Sequence, residues 1–149
     1  MMKQLLNEWN QFLNEQHTFE GSYSQAIKDY IIKSEISGKD PVLNAYPDSA
    51  EVPTIGYGST FKPDGTHVKL GDKIDPKTAE EYLTYGMNEA AIAVNKRVTK
   101  DLNQNQFDAL VSLVYNLGSG NFGESTLLKL INKNPNDPRI PKEFLKFIY

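Results

Sequence analysis

Three side chains in the first part of the chain have the chemistry needed to cleave a glycosidic bond: Glu35, Asp48 and Thr54. Glu35 ends an amphipathic segment, and partial burial there would raise the pKa of its carboxyl and keep it protonated near neutrality. A protonated carboxyl suits a general acid, and a second carboxyl in a different environment can activate water or attack the sugar. Glu35 would thus suit the acid, Asp48 could supply the second carboxylate, and Thr54 beside it could orient the water.

Each of these residues also has an ordinary structural explanation. A glutamate at a helix end is usually solvated, an aspartate after Pro47 favours a turn, and a threonine favours a strand. Taken singly, Asp48 and Thr54 fit these structural roles better than catalytic ones. Only the combination with Glu35 indicates a catalytic site.

Local patterns predict the elements that would position these residues. Apolar residues at helical spacing predict helices at residues 23 to about 35, 75 to about 98, 104–117 and 125–131, and a final helical piece at 141–149. Asp75 and Asn103 are predicted N-caps, and Gly118 is predicted to end its helix in the left-handed conformation. Residues 42–70 predict short strands, with a hairpin-like turn between Phe61 and His67. The long helix from Asp75 could join two lobes.

Composition excludes several classes of protein. The 149 residues include no cysteine and carry a net charge of −3, which excludes disulfides and gives no broad basic face for nucleic acid. His17 and His67 are the two histidines and lie in no metal-binding pattern, so we predict no metal and no cofactor. The apolar runs are too short for a membrane span. Because Glu8 and Glu15 interrupt the N-terminal apolar residues, we predict no signal peptide.

The segment from Gly118 to Gly123 matches the pattern G-x-G-x-x-G. It follows a predicted helix, whereas a dinucleotide site of this type requires a preceding strand within a βαβ unit. We interpret it as a turn between two helices, in which glycine permits unusual backbone angles.

Three blocks of the sequence, in this order, resemble the phage-type lysozymes, the endolysin and muramidase family that includes the T-even phage lysozyme. They are KSE ending at Glu35, AYPD followed by PTIGYG in residues 45–58, and FDALVSLVYNLGSGNFGESTLLKLIN in residues 107–132. The resemblance covers about residues 27–149. It implies a two-lobed α+β lysozyme fold, mostly helical with a small β-hairpin lobe, that hydrolyses the β-1,4 bond between N-acetylmuramic acid and N-acetylglucosamine in peptidoglycan.

The resemblance also implies roles for individual residues. Glu35 matches the general acid, Asp48 the carboxylate that activates or stabilises the reacting centre, and Thr54 the residue that holds water on the opposite face of the sugar. Inversion, the outcome in the best-known members, requires the two carboxyl groups to lie about 6.5–9.5 Å apart. Positions that contact substrate or support the acid are matched by Tyr115, Asn116 and Ser125.

The chain departs from the family pattern at several places. Ile36 replaces the usual glycine after the acid, and twelve residues separate Glu35 from Asp48, more than is usual, so we expect residues 37–42 to bulge. Ser59 replaces a histidine and removes a structural ion pair. The family also continues past EFLKFIY into an Arg-bearing helix near the acid, so a natural short form, a fragment and completion by a partner chain are three alternatives.

Residues 1–22 form a predicted helical extension and linker, and residues 23–149 the lysozyme-like domain. The tripeptide LNE, which occurs at Leu6–Glu8 and at Leu13–Glu15, is similar to sites that phage prohead proteases cut. The extension is thus either a helix docked on the core or a removable signal for packaging into the virion. We expect a monomer, synthesised in the host cytoplasm, that hydrolyses the cell wall. The alternative is a catalytically impaired wall-binding or virion structural module.

Overall fold

The computed structural model describes residues 22–35 and 40–146, apart from the side chains of Tyr30 and residues 33–35. Predictions for other residues, including the N-terminal helix, most of the bulging loop and the last three residues of the final helical piece, lie outside this part of the chain. Eight elements follow one another: α1 (Gln25–Glu35), β1 (Val42–Pro47), β2 (Pro53–Gly56), α2 (Pro76–Arg97), α3 (Gln104–Leu117), α4 (Ser119–Gly123), α5 (Thr126–Lys133) and α6 (Ile140–Leu145).

The described residues divide into two compact units. The helical unit consists of residues 22–27 and 90–146, and the hairpin unit consists of residues 28–35 and 40–89. The unit boundaries fall inside α1 and inside α2. Both helices therefore contribute residues to both units.

Helix α3 provides much of the core of the helical unit. Its N-terminus has the capping box that Asn103 predicts: the Asn103 side chain accepts from the Gln106 amide at 2.8 Å, and the Gln106 side chain accepts from the Asn103 amide at 3.0 Å. This reciprocal pair satisfies two amides at the helix start. Most apolar residues of this helix are buried, whereas Tyr115 is half-buried. Buried apolar residues of this helix are Phe107, Ala109, Leu110, Val111, Leu113 and Val114.

The glycine-rich segment after α3 is more ordered than predicted. Gly118 has the expected positive φ of 92°, but its ψ of 146° places it outside the left-handed helical region. The chain then forms the short helix α4, where the sequence predicted only a turn. Phe122 of α4 is fully buried, so tertiary packing holds a helix in a segment whose glycines disfavour one.

The hairpin unit contains an antiparallel pair of strands. Tyr46 lies opposite Thr54 and Pro47 opposite Pro53. The predicted turn between Phe61 and His67 is confirmed by a bridge between these two residues.

Helix α2 begins as predicted. Asp75 accepts from the Thr78 amide at 2.7 Å, which makes it the N-cap, and Pro76 occupies the first helical position, where the missing amide is not needed. The side-chain and backbone hydrogen bonds from Thr78 lower the pKa of Asp75. The structure thus confirms the α+β class, with helices predominating over one small sheet.

Candidate active site

Asp48 closes the loop of the β1–β2 hairpin. Its Oδ1 atom accepts from the amides of Ala50 and Val52 at 2.8 and 2.9 Å. Its backbone also pairs across the loop, with the Asp48 amide donating to the Val52 carbonyl and the Glu51 amide donating to the Asp48 carbonyl. Among the residues that the structure describes, none donates a hydrogen bond to Oδ2. Oδ1 of Asp48 therefore stabilises the turn, and Oδ2 remains able to accept a hydrogen bond or a proton.

Thr54 lies on β2 and is buried, with 4% of its surface exposed. Its hydroxyl donates to the Val52 carbonyl at 2.9 Å. Since a threonine hydroxyl has one proton and two acceptor lone pairs, this bond leaves Thr54 Oγ1 able to accept a further hydrogen bond. The residue can therefore orient a water molecule by accepting one of its protons.

The backbone of Val52 connects the two residues. Its amide donates to Asp48, and its carbonyl accepts from both Thr54 Oγ1 and the Asp48 amide, at 2.9 and 3.0 Å. Thr54 Oγ1 and the Asp48 nitrogen therefore donate to the same carbonyl oxygen. Asp48 directly follows β1 and Thr54 lies on β2, so the hydrogen bonds to Val52 place the two residues at the same end of the hairpin. Asp48 and Thr54, six residues apart in the sequence, are therefore close in the structure.

The backbone after Thr54 turns closely against α2. Gly56 has a φ of 67°, and a Cβ atom at this position would lie 3.3 Å from the Cβ of Ala79. Ser59, which stands where the family resemblance places a histidine, is buried, and its backbone pairs in both directions with Ile55. The TIGYGS segment is consequently fixed by backbone pairing and by the contact of Gly56 with α2.

Helix α1 is tied to α2 within the hairpin unit. Lys28 Nζ lies 3.1 Å from Glu80 Oε1, and the Lys28 side chain is the more buried partner, at 14% exposed against 58%. Such a partly exposed pair contributes about 0–1 kcal/mol. Nearby, burial raises the pKa of the Tyr57 hydroxyl, and the negative charges of Glu80 and Asp40 raise it further. Glu35 is the last residue of α1, as predicted, and its side chain lies outside the described part of the chain.

The three predicted substrate-binding residues all lie in the helical unit. Tyr115 and Asn116 occupy the last turn of α3, where the Asn116 side chain is exposed and donates to the Ser112 carbonyl at 2.9 Å. Ser125 is the N-cap of α5: its hydroxyl accepts from the Leu128 amide at 3.1 Å and donates to the Phe122 carbonyl at 2.7 Å. Ser125 thus has a structural role that the sequence interpretation did not include.

Two contacts of α1 and the turn before it were missed in the sequence. Asp108 of α3 binds Ser24, which precedes α1, although 84 residues separate them. Polar Gln104 and Asp108, spaced one helical turn apart on an otherwise apolar helix, were the available signal. The Lys28–Glu80 pair had no local signal, because charged residues are common on exposed helix faces.

Within residues 22–35 and 40–146, no three His, Cys, Asp or Glu side chains are grouped so that they could hold a metal ion. No helix in this part of the chain is both long and apolar enough to cross a membrane.

Comparison with known proteins extends the resemblance seen in the sequence. The family model described as phage lysozyme matches residues 40–149. The endolysin of Salmonella phage P22 is 42% identical over 90 residues, which are 60% of this chain and 62% of that protein. The endolysin of Acyrthosiphon pisum secondary endosymbiont phage 1 is 38% identical over 90 residues, 60% of this chain and 58% of that protein. The chain thus spans less than two thirds of the length of these curated relatives.

A solved structure agrees in fold over a larger share of the chain. The endolysin from Escherichia coli O157:H7 phage FAHEc1 superposes with a TM-score of 0.67 and 38% sequence identity, covering 82% of this chain and 73% of that one. The predicted lysozyme-like fold is confirmed by this similarity.

Proposed function

The chain belongs to the phage lysozyme family, and on that premise we propose that it hydrolyses the β-1,4 bond between N-acetylmuramic acid and N-acetylglucosamine in bacterial peptidoglycan. The observation that carries the proposal is that the backbone of Val52 bonds both Asp48 and Thr54 within one hairpin. The turn alone explains the presence of Asp48, but it does not explain the buried hydroxyl of Thr54 beside it. Glycoside hydrolysis uses both.

The hydrogen bonds of these two residues support a division of roles. A water molecule that donates one proton to Asp48 Oδ2 and the other to Thr54 Oγ1 would present a lone pair to the anomeric carbon. Asp48 would then accept a proton as the water attacks, and Glu35 would protonate the leaving oxygen from the other face of the sugar. This arrangement yields inversion of configuration, which NMR detection of the first-formed anomer would test. A retained anomer would contradict the water-activating role of Asp48.

We assign Tyr115, Asn116 and Ser125 to substrate binding. The half-buried Tyr115 and the exposed Asn116 end the same helix, and an aromatic ring next to an amide is suited to the mixed apolar and hydroxyl surface of a sugar. Tyr115→Ala and Asn116→Ala should each raise KM more than they lower kcat. Ser125→Ala should in addition lower the melting temperature, because it removes the N-cap of α5. Unchanged KM values would contradict the assignment of Tyr115 and Asn116.

Loss of turbidity of permeabilised Gram-negative cells, combined with reducing-end analysis of purified peptidoglycan, tests the activity. We expect the wild-type protein to release reducing ends and Glu35→Gln to release them at least about a hundredfold more slowly, as removal of a general acid usually does. Glu89→Gln is the matched control, since Glu89 is an exposed glutamate of α2. Equal rates for wild type and Glu35→Gln would refute the assignment of the acid.

The second candidate is a wall-binding or virion structural module without hydrolytic activity. It is favoured by the turn-forming hydrogen bonds of Asp48, which alone explain that residue. Sedimentation of the protein with purified peptidoglycan, without release of reducing ends, would support this candidate. Release of amino groups without reducing ends would instead identify an amidase.

We also propose that the virion contains this protein without its first fifteen residues. The repeated LNE tripeptide at Leu6–Glu8 and at Leu13–Glu15 supports this processing. Mass spectrometry of virion-derived protein should find an N-terminus at Gln16. An N-terminus at Met1 or Met2 would refute the processing, and native mass spectrometry of the same material would reveal any partner chain.

A further inference from the structure

Asp108 is a buried carboxylate that accepts hydrogen bonds through both of its oxygens. It lies on the second turn of α3 with 6% of its surface exposed. Oδ1 accepts from the Ser24 amide at 2.9 Å and from Gln104 Nε2 at 2.8 Å, and Oδ2 accepts from the Ser24 hydroxyl at 2.5 Å. A carboxylate this deeply buried is costly unless its hydrogen bonds are satisfied. The chain therefore maintains Asp108 by a specific set of partners.

These partners define the beginning of helix α1. Ser24 immediately precedes the helix, and its hydroxyl accepts from the Ile27 amide at 3.3 Å while donating to Asp108. Gln104 Nε2 reaches the preceding turn as well, since it donates to the Ser22 carbonyl at 2.7 Å. Asp108 thus places a carboxylate at the N-terminus of α1, where the helix dipole favours negative charge.

We infer that Asp108 is a positioning residue that acts through α1, the helix that ends with the proposed acid Glu35: it fixes the first turn of that helix. This inference rests on the proposed role of Glu35 as the acid. A helix of 11 residues is about 16 Å long at 1.5 Å per residue. A helix of this length is only marginally stable in isolation, so its tertiary anchor determines its axial position and rotation. Misplacement of a reacting group by about 1 Å can cost roughly a hundredfold in rate.

The chemistry of Asp108 provides a conservative variant. Asparagine keeps an acceptor oxygen for the Ser24 amide and Gln104, and its amide group can donate to the Ser24 hydroxyl oxygen. Alanine removes every one of these bonds. If positioning is the role of Asp108, Asp108→Asn should therefore retain most of the activity that Asp108→Ala loses.

The test measures kcat and KM on soluble peptidoglycan oligomers together with amide hydrogen exchange of residues 28–35. We expect Asp108→Ala to lower kcat by about tenfold to a hundredfold, to change KM little and to accelerate exchange in α1. Ser24→Ala should have an intermediate effect, because the Ser24 amide remains. The control is Ile140→Val or Ile140→Ala, whichever matches the melting temperature of Asp108→Ala. Ile140 is fully buried in α6.

The outcomes separate this inference from the proposed function. An equal loss of kcat in the Ile140 control would show that Asp108 acts only through stability and would overturn the inference. Wild-type kcat in Asp108→Ala, or unchanged exchange of residues 28–35, would overturn it as well. If the wild-type protein releases no reducing ends, the proposed function fails, and hydrogen exchange alone decides whether Asp108 anchors α1.

Discussion

Replacing Asp48 with asparagine or alanine separates the two roles of this side chain. Oδ1 accepts from the Ala50 and Val52 amides, and asparagine retains that acceptor and is itself common in turns. Oδ2 is the oxygen assigned to the attacking water, and asparagine replaces the carboxylate with a neutral amide that cannot accept the proton. Alanine removes both functions. The pair of variants therefore compares hairpin stability with catalytic chemistry at one position.

The expected magnitudes follow from the two hydrogen bonds, at 2.8 and 2.9 Å. Hydrogen bonds to a charged group contribute about 1.5–3 kcal/mol each when well buried, and neutral ones about 0.5–1.5 kcal/mol. Since Asp48 is only half-buried, we use the lower ends of these ranges. Asp48→Asn should then lose about 2 kcal/mol of unfolding free energy, and Asp48→Ala about 3 kcal/mol. Both should lose roughly 10²–10⁴-fold in kcat, the usual contribution of a general base.

Thermal unfolding followed by circular dichroism gives the stability of each variant, and reducing-end release at a temperature where all variants are folded gives the rate. A large loss of rate in Asp48→Asn, with a small loss of stability, is the result that requires Asp48 in the chemistry. Wild-type activity in Asp48→Asn would refute this reasoning and leave Asp48 as a turn residue only.

Three further predictions concern stability. Gly56→Ala should lower the free energy of unfolding by about 2–4 kcal/mol, because it combines a positive φ with a tight contact to α2. The control Gly65→Ala should lose only the backbone contribution, since nothing lies within 4 Å of its added Cβ. Equal losses of unfolding free energy in urea would disprove the contact of Gly56 with α2. Glu51 has a φ of 65°, so Glu51→Gly should stabilise the protein by up to about 1 kcal/mol, and a lower melting temperature would contradict this. Hydrogen bonds from the Arg139 side chain and amide lower the pKa of Asp137 to about 2 from 3.8. The stabilisation by ionised Asp137 is therefore present above about pH 4 and lost as the pH falls toward 2. The difference in melting temperature between wild type and Asp137→Asn should become smaller over that range. A constant difference would show that protonation of Asp137 does not affect stability.

The elements that the sequence predicted well are those whose signals act over three or four residues. Asp75 caps α2 and Asn103 caps α3 because each side chain bonds an amide three residues later. The site was predicted less completely. The AYPD and TIGYG blocks identified Asp48 and Thr54, but the Val52 backbone bonds that connect them depend on how the two strands pair, which the sequence does not specify. Helix α4 was missed because glycine disfavours helix locally, and only the burial of Phe122 compensates.

By itself, the sequence determined the starts of α2 and α3, the turn between Phe61 and His67, the family and the identity of the candidate acid, carboxylate and threonine. These depend on residue type and on short spacing along the chain. Only the tertiary structure decided which distant residues contact the segments that carry those groups: Asp108 bonds Ser24 before α1, and Ala79 lies close to Gly56. The physical reason is that a cap is a contact within one turn, whereas an anchor requires two distant segments to pack together before the hydrogen bond can form.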